Sequence, residues 1–203
     1  MRAVVITPPG PVVTYEQAVA RLKLGGGDGE RADVDGMIAA ATGIIDGPDG
    51  YLGRAIGVQT IEARFDHFCH QDQLRCGEII LPFPPLIELV SVSYIDGSGA
   101  VQTVDPSAYE MLGQTLVPAF GTAWPTPRWQ RESVRVRYRA GYPATNADPP
   151  VSTVPPAIIT AILLMVGDLY RFRETVMAGS AKTEAIPMST KVETLLGPFR
   201  VFA

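Results

Sequence analysis

The apolar positions of this chain change period twice. Between residues 14 and 46 they recur at helical spacing. Tyr15, Ala18, Val19 and Leu22 share one face, and Val34, Met37, Ile38, Ala41, Ile44 and Ile45 form a second stripe. Thr14 and Gln17 stand three apart ahead of the first stripe, the spacing of a capping box, so a helix is expected over about 14–24. GGGDGE is expected to end it as a flexible loop. A second helix is expected over about 32–46, with Asp33 and Asp35 at its positive end and Gly47-Pro48 stopping it.

From Val58 the pattern alternates instead. VQTIEARF, EIILPF, ELVSVSYI, AVQTV and SVRVRY each read as strands bounded by turn residues. Asp96-Gly97-Ser98-Gly99 joins two of them as a hairpin, because glycine supplies the positive φ that a tight turn needs. LPFPPL, poor in backbone donors, suits a sheet edge or a crossover. The helical period returns after Pro155-Pro156 for a very apolar helix over about 156–175. It returns again over about 190–197, where Thr190 and Glu193 have capping-box spacing and Val192, Leu195, Leu196 and Phe199 share a face. The expected fold is α+β: a small bundle of three to four helices with an inserted, mostly antiparallel β module over about 57–142. With no repeat and no composition shift, 1–203 reads as one domain, its tail from about 178 mobile.

Composition narrows the partners. The chain of 203 residues has 17 Lys and Arg against 21 Asp and Glu, a net charge of −4, which argues against a general nucleic-acid binder. The start MRAVVITPPGP is too short in apolar residues for a signal peptide, and AIITAILLMVG is too short to span a bilayer. A soluble protein made in a cytoplasm is the expectation, with no membrane partner.

Two stretches hold candidate chemistry. FDHFCHQDQLRC carries both histidines and both cysteines, and His67, Cys69, His70 and Cys76 are the ligands a zinc ion would need. Their spacing lacks the paired C-x-x-C pattern of structural sites, so the expectation is a polar loop with one aromatic and one thiol turned inward and no bound metal. RWQRESVRVRYR places Arg135, Arg137 and Arg139 on one strand face and Val134, Val136 and Tyr138 on the other. That arginine row suits either a surface facing DNA phosphates or a solvated face paired with neighbouring acids. No phosphate loop, dinucleotide fingerprint, nucleophile elbow or acid–base pair is present, so no cofactor and no catalysis are expected.

The order of a capped N-terminal helix, MIAAATGIIDGPDGYLGRAIGVQT, LPFPPLIELVSVSYIDGSGAVQT, SVRVRYRAGY and VPPAIITAILLMVGDLYRFRE resembles the head–tail connector (adaptor) proteins of long-tailed bacteriophages and prophages. The resemblance runs from about Thr14 to Val201. It implies a structural virion protein: a ring, usually twelvefold, beneath the portal, which extends the DNA channel and offers a platform to the next neck protein. Partners implied are the portal, a downstream stopper or tail protein, further copies of the chain, and non-specific contact with double-stranded DNA. The implied location is the virion neck. Within that frame Leu195, Leu196, Phe199, Val201 and Phe202 are candidates for docking on the portal, or alternatively for closing the protein's own core. Arg135, Arg137 and Arg139 are candidates for a ring interface or the channel wall. The competing readings are a stopper or tail-completion protein, a metal-dependent hydrolase built on the Cys/His loop, and a free-standing nucleic-acid binder.

Overall fold

The computed structural model describes residues 1–23, 28–68, 77–148, 151–172 and 189–201. Among them it has four helices and eight antiparallel strands in two sheets, an α+β fold. The chain forms two compact units. One comprises residues 1–10 and 54–143, the other 11–53 and 144–202.

The first unit is built on a five-stranded sheet of order β1-β2-β8-β4-β5: β1 (Arg2–Thr7), β2 (Gln59–Phe65), β8 (Val134–Ala140), β4 (Leu86–Ile95) and β5 (Val101–Thr103). A second sheet has the order β3-β7-β6, from β3 (Ile79–Ile80), β7 (Thr115–Pro118) and β6 (Tyr109–Leu112). Alternation in the sequence becomes alternation in space: Val134, Val136, Tyr138 and Ala140 are all fully buried, while Arg135, Arg137 and Arg139 face outward. Ile61, Ala63, Val92, Ile79 and Leu116 join those inward β8 residues in one apolar cluster. Tyr138 is the largest side chain closed off within it, and its hydroxyl donates to the Pro82 carbonyl at 2.6 Å. Burial raises its pKa, as expected for a phenol whose ionised form would lose water.

The β4–β5 hairpin forms where the glycines predict it. Asp96 fixes its tip by accepting from the Ser98 hydroxyl (2.5 Å) and the Gln102 amide (2.8 Å), and these bonds hold its pKa down to about 2. The hairpin of β6 and β7 was not expected from the sequence. It turns on Gly113-Gln114, with Gly113 at φ 65, the positive first position of a type II′ turn. Also beyond the expected range of the β module is β1, which pairs with β2 from the far N-terminus.

The second unit is helical: α1 (Tyr15–Leu22), α2 (Asp28–Ile45), α3 (Pro156–Arg171) and α4 (Thr190–Leu196). The Thr14–Gln17 capping box is present, with both reciprocal bonds formed. Helix α2 starts at Asp28, four residues before the expected start at about 32 and ahead of its apolar stripe, and Glu30 in that first stretch suits the positive end of a helix as well as a loop. The Thr190–Glu193 capping box is not formed. Ser189 is the N-cap residue of α4 and makes no side-chain capping bond; Thr190 lies already inside the helix. Helix α3 packs against α1, α2 and α4, with Ile158, Ala161, Ile162, Met165 and Val166 buried, so its apolar face is largely covered within the chain. Residues 178–188 of the expected mobile tail lie outside the described residues.

Candidate assembly interface

The outer face of the five-stranded sheet carries a ladder of charge, set by strand register. Glu62 on β2 sits opposite Arg137 on β8, and Arg64 opposite Arg135. Arg139 meets Glu88 on β4 from the other side. The resulting contacts are short: Arg137 Nη2 to Glu62 Oε2 at 2.8 Å, Arg64 Nε to Glu62 Oε1 at 2.9 Å, Arg139 Nη1 to Glu88 Oε1 at 2.6 Å. Glu132, from the turn before β8, bridges Arg64 (2.9 Å) and Arg2 (3.2 Å). The ladder is therefore five arginines against three glutamates, and Arg135 has no ion-pair partner among the described residues.

Glu62 is the centre of this network and only 5 % exposed. Burial alone would raise its pKa, but the hydrogen bonds and positive charge of Arg137 and Arg64 outweigh burial and hold the carboxyl below the usual glutamate range. Glu62→Gln should therefore lower stability by about 1–3 kcal/mol, since two guanidiniums then lose their shared counter-charge, partly offset by solvent around Arg137. The sign with pH follows from the lowered pKa. The contribution of Glu62 is complete above the ordinary glutamate value and disappears as pH falls through the folded-state pKa beneath it. Denaturant melts of the two proteins should diverge at neutral pH and converge in acid; parallel curves across that range contradict the assignment.

Arg137 and Arg139 are neutralised by acids on adjacent strands, an arrangement hidden in the sequence because Glu62 and Glu88 lie 75 and 51 residues away. Arg135 has no ion-pair partner among the described residues, and its Nε makes no hydrogen bond there.

The Cys/His loop is described only at its start, since Cys69, His70 and Cys76 lie outside the described residues. His67 stacks at 4.7 Å on Trp129, tilted by 32°. Phe68 turns inward, stacked at 4.6 Å on Trp124. Among the described residues no three His, Cys, Asp or Glu side chains gather as metal ligands.

The C-terminal candidates divide by burial. Leu196 is fully closed off, Leu195, Phe199 and Val201 are half-buried, and Phe202 lies outside the described residues. This segment is tied to the GYLG turn: the Val201 amide donates to the Leu52 carbonyl at 2.8 Å, and the Arg200 guanidinium lies 4.3 Å from the Tyr51 ring centre. Gly53 holds φ 61 there, and an added Cβ would stand 2.6 Å from the Val201 carbonyl oxygen. The residues that make GYLGRA distinctive thus seat the C-terminus. Sequence reasoning missed two exposed aromatics, Phe120 and Trp129, because loop position is not encoded in residue type.

No family model matches the chain, and no curated protein does. Solved structures do. A chain from the neck of an empty gene transfer agent (GTA) particle, computed with C6 symmetry, superposes with a TM-score of 0.72 at 20% identity, covering 100% of this chain and 97% of the other. A chain from the virion of a native GTA particle gives 0.63 at 16% identity, and one from a native GTA neck computed with C12 symmetry gives 0.62 at 17%, with the same coverage. From end to end, the fold of this chain is one also found in proteins of the necks and virions of gene transfer agent particles.

Proposed function

We propose that this chain is a structural protein of a phage-like particle neck, and specifically a head–tail adaptor. Copies assemble as a ring, twelvefold, beneath the portal, extend the DNA channel and present a platform to the next neck or tail protein. The observation that carries the reading is the whole-length likeness to a neck chain at a TM-score of 0.72. The two GTA necks computed with C6 and C12 symmetry support a ring. The role is architectural rather than catalytic, and its place is the virion neck, after synthesis in the host cytoplasm.

Within this reading the C-terminal segment docks on the portal through its half-exposed side chains Leu195, Phe199 and Val201, together with Phe202, while Leu196 anchors the helix from within. Arg135, Arg137 and Arg139 face the ring interface or the channel, where Arg135, without an ion pair among the described residues, supplies sequence-blind attraction to phosphate.

Cryo-electron microscopy of the neck of intact particles containing this chain tests the whole proposal. The expected result is a ring of it directly below the portal, with α4 on the portal side. A position further down the neck would make it a stopper or tail-completion protein, and absence from a resolved neck would overturn the structural reading.

A further inference from the structure

The five-stranded sheet ends in two open edges, and both are apolar. At one edge β1 has no strand on its outer side among the described residues, and Val5 and Ile6 are 38 % and 42 % exposed. At the other, β5 covers only the last part of β4, pairing Ser93–Ile95 with Val101–Thr103, and the Val104 amide extends it to Val92. Leu86–Ser91 of β4 has no strand on that side among the described residues, and Val90 there is 50 % exposed. Folded proteins usually guard free edges with charge, proline or cover, so apolar edges left open on both sides of one sheet point to pairing in an assembly.

The two edges match in length and direction. Arg2–Thr7 is six residues and Leu86–Ser91 is six, each about 20 Å of strand. Every neighbouring pair in the sheet is antiparallel, so β1 and β8 run one way and β2 and β4 the other. A rotation about an axis along the strands preserves direction, so it brings β1 of one copy antiparallel to β4 of the next. The register of β4 against β8 slips between Leu86 and Glu88 and between Leu89 and Ser91. The extra residue of such a bulge has no place in its own ladder, which leaves backbone groups for a new partner.

We infer that these two edges belong to each other: β1 of one copy pairs antiparallel with Leu86–Ser91 of the next, and the repeated step carries one sheet from copy to copy. The contact joins two different surfaces head to tail, the type of interface that closes into a ring. The inference rests on the ring proposed above.

The test uses particles whose chain carries Val5→Cys and Val90→Cys in a background where Cys69→Ser and Cys76→Ser remove the native thiols. Both sites are partly exposed, so cysteine fits without repacking. A short bis-maleimide, whose reach tolerates an offset of a residue or two, is then applied to assembled particles. The expected product is a ladder of trimers, tetramers and longer species, lost when either cysteine is left out. Dimers from Val5→Cys alone would show β1 pairing with β1 and overturn the inference. No ladder from particles whose neck density shows the ring would overturn it while the ring stands. No ring in that density would remove both.

Discussion

Leu196→Ala should destabilise the helical unit by about 2–5 kcal/mol, the range for deleting a fully buried leucine from a core that relaxes only in part. Leu196 and Val192 are the fully buried side chains of α4, and the helix packs on α3. Leu195→Ala, at a half-buried position on the same helix, should cost about 1 kcal/mol or less. Thermal unfolding followed by circular dichroism checks the contrast, and equal losses at the two positions would contradict the packing described. The outcome matters for function because it separates two uses of one short helix. Removal of everything from Thr190 takes away the Leu196 plug and the Val201–Leu52 bond together, so loss of portal binding in such a truncation would report unfolding as much as docking. Leu195 and Phe199 can be changed without opening the core, and they are the positions at which portal contact can be read cleanly.

Tyr138→Ala should cost about 3–5 kcal/mol in the β unit. The residue is fully buried at the middle of the sheet, between Val136 and Ala140 on its own strand and opposite Ile61 and Leu89 on its neighbours. Truncation removes the ring and strands the Pro82 carbonyl that its hydroxyl satisfies. Tyr138→Phe separates the two effects: packing is retained and the loss should fall to about 1–2 kcal/mol. Urea unfolding of the two variants gives the comparison. A Tyr138→Ala protein within 1 kcal/mol of the parent would show that this core is not the one that stabilises the sheet.

Much of the fold was legible because each element is announced by a local rule. Thr14 and Gln17 specified a helix start that forms as expected, whereas Thr190 and Glu193 have the same spacing and form no box. The difference is that helix α4 begins one residue earlier in the chain's path, with Ser189 as its cap. The alternation of SVRVRY placed Val134, Val136 and Tyr138 inside and the arginines outside, and the structure agrees residue by residue. RAVVIT carries no period-two signal, because Val4, Val5 and Ile6 run together. YEMLGQTLV carries its signal in the turn, where Gly113-Gln114 separates the two short strands β6 and β7.

Local rules fix which face of a strand is buried, the place of a turn and the cap of a first helix, since these depend on residues within about four positions of one another. What lies across the sheet depends on register between segments far apart in the chain. The tertiary structure alone decided that Glu62 would be closed beneath two guanidiniums, that Arg135 would find no counter-charge among the described residues, and that the N-terminus would become an edge strand of the described sheet. Backbone pairing between distant segments creates those neighbours, and no periodicity within either segment records its partner.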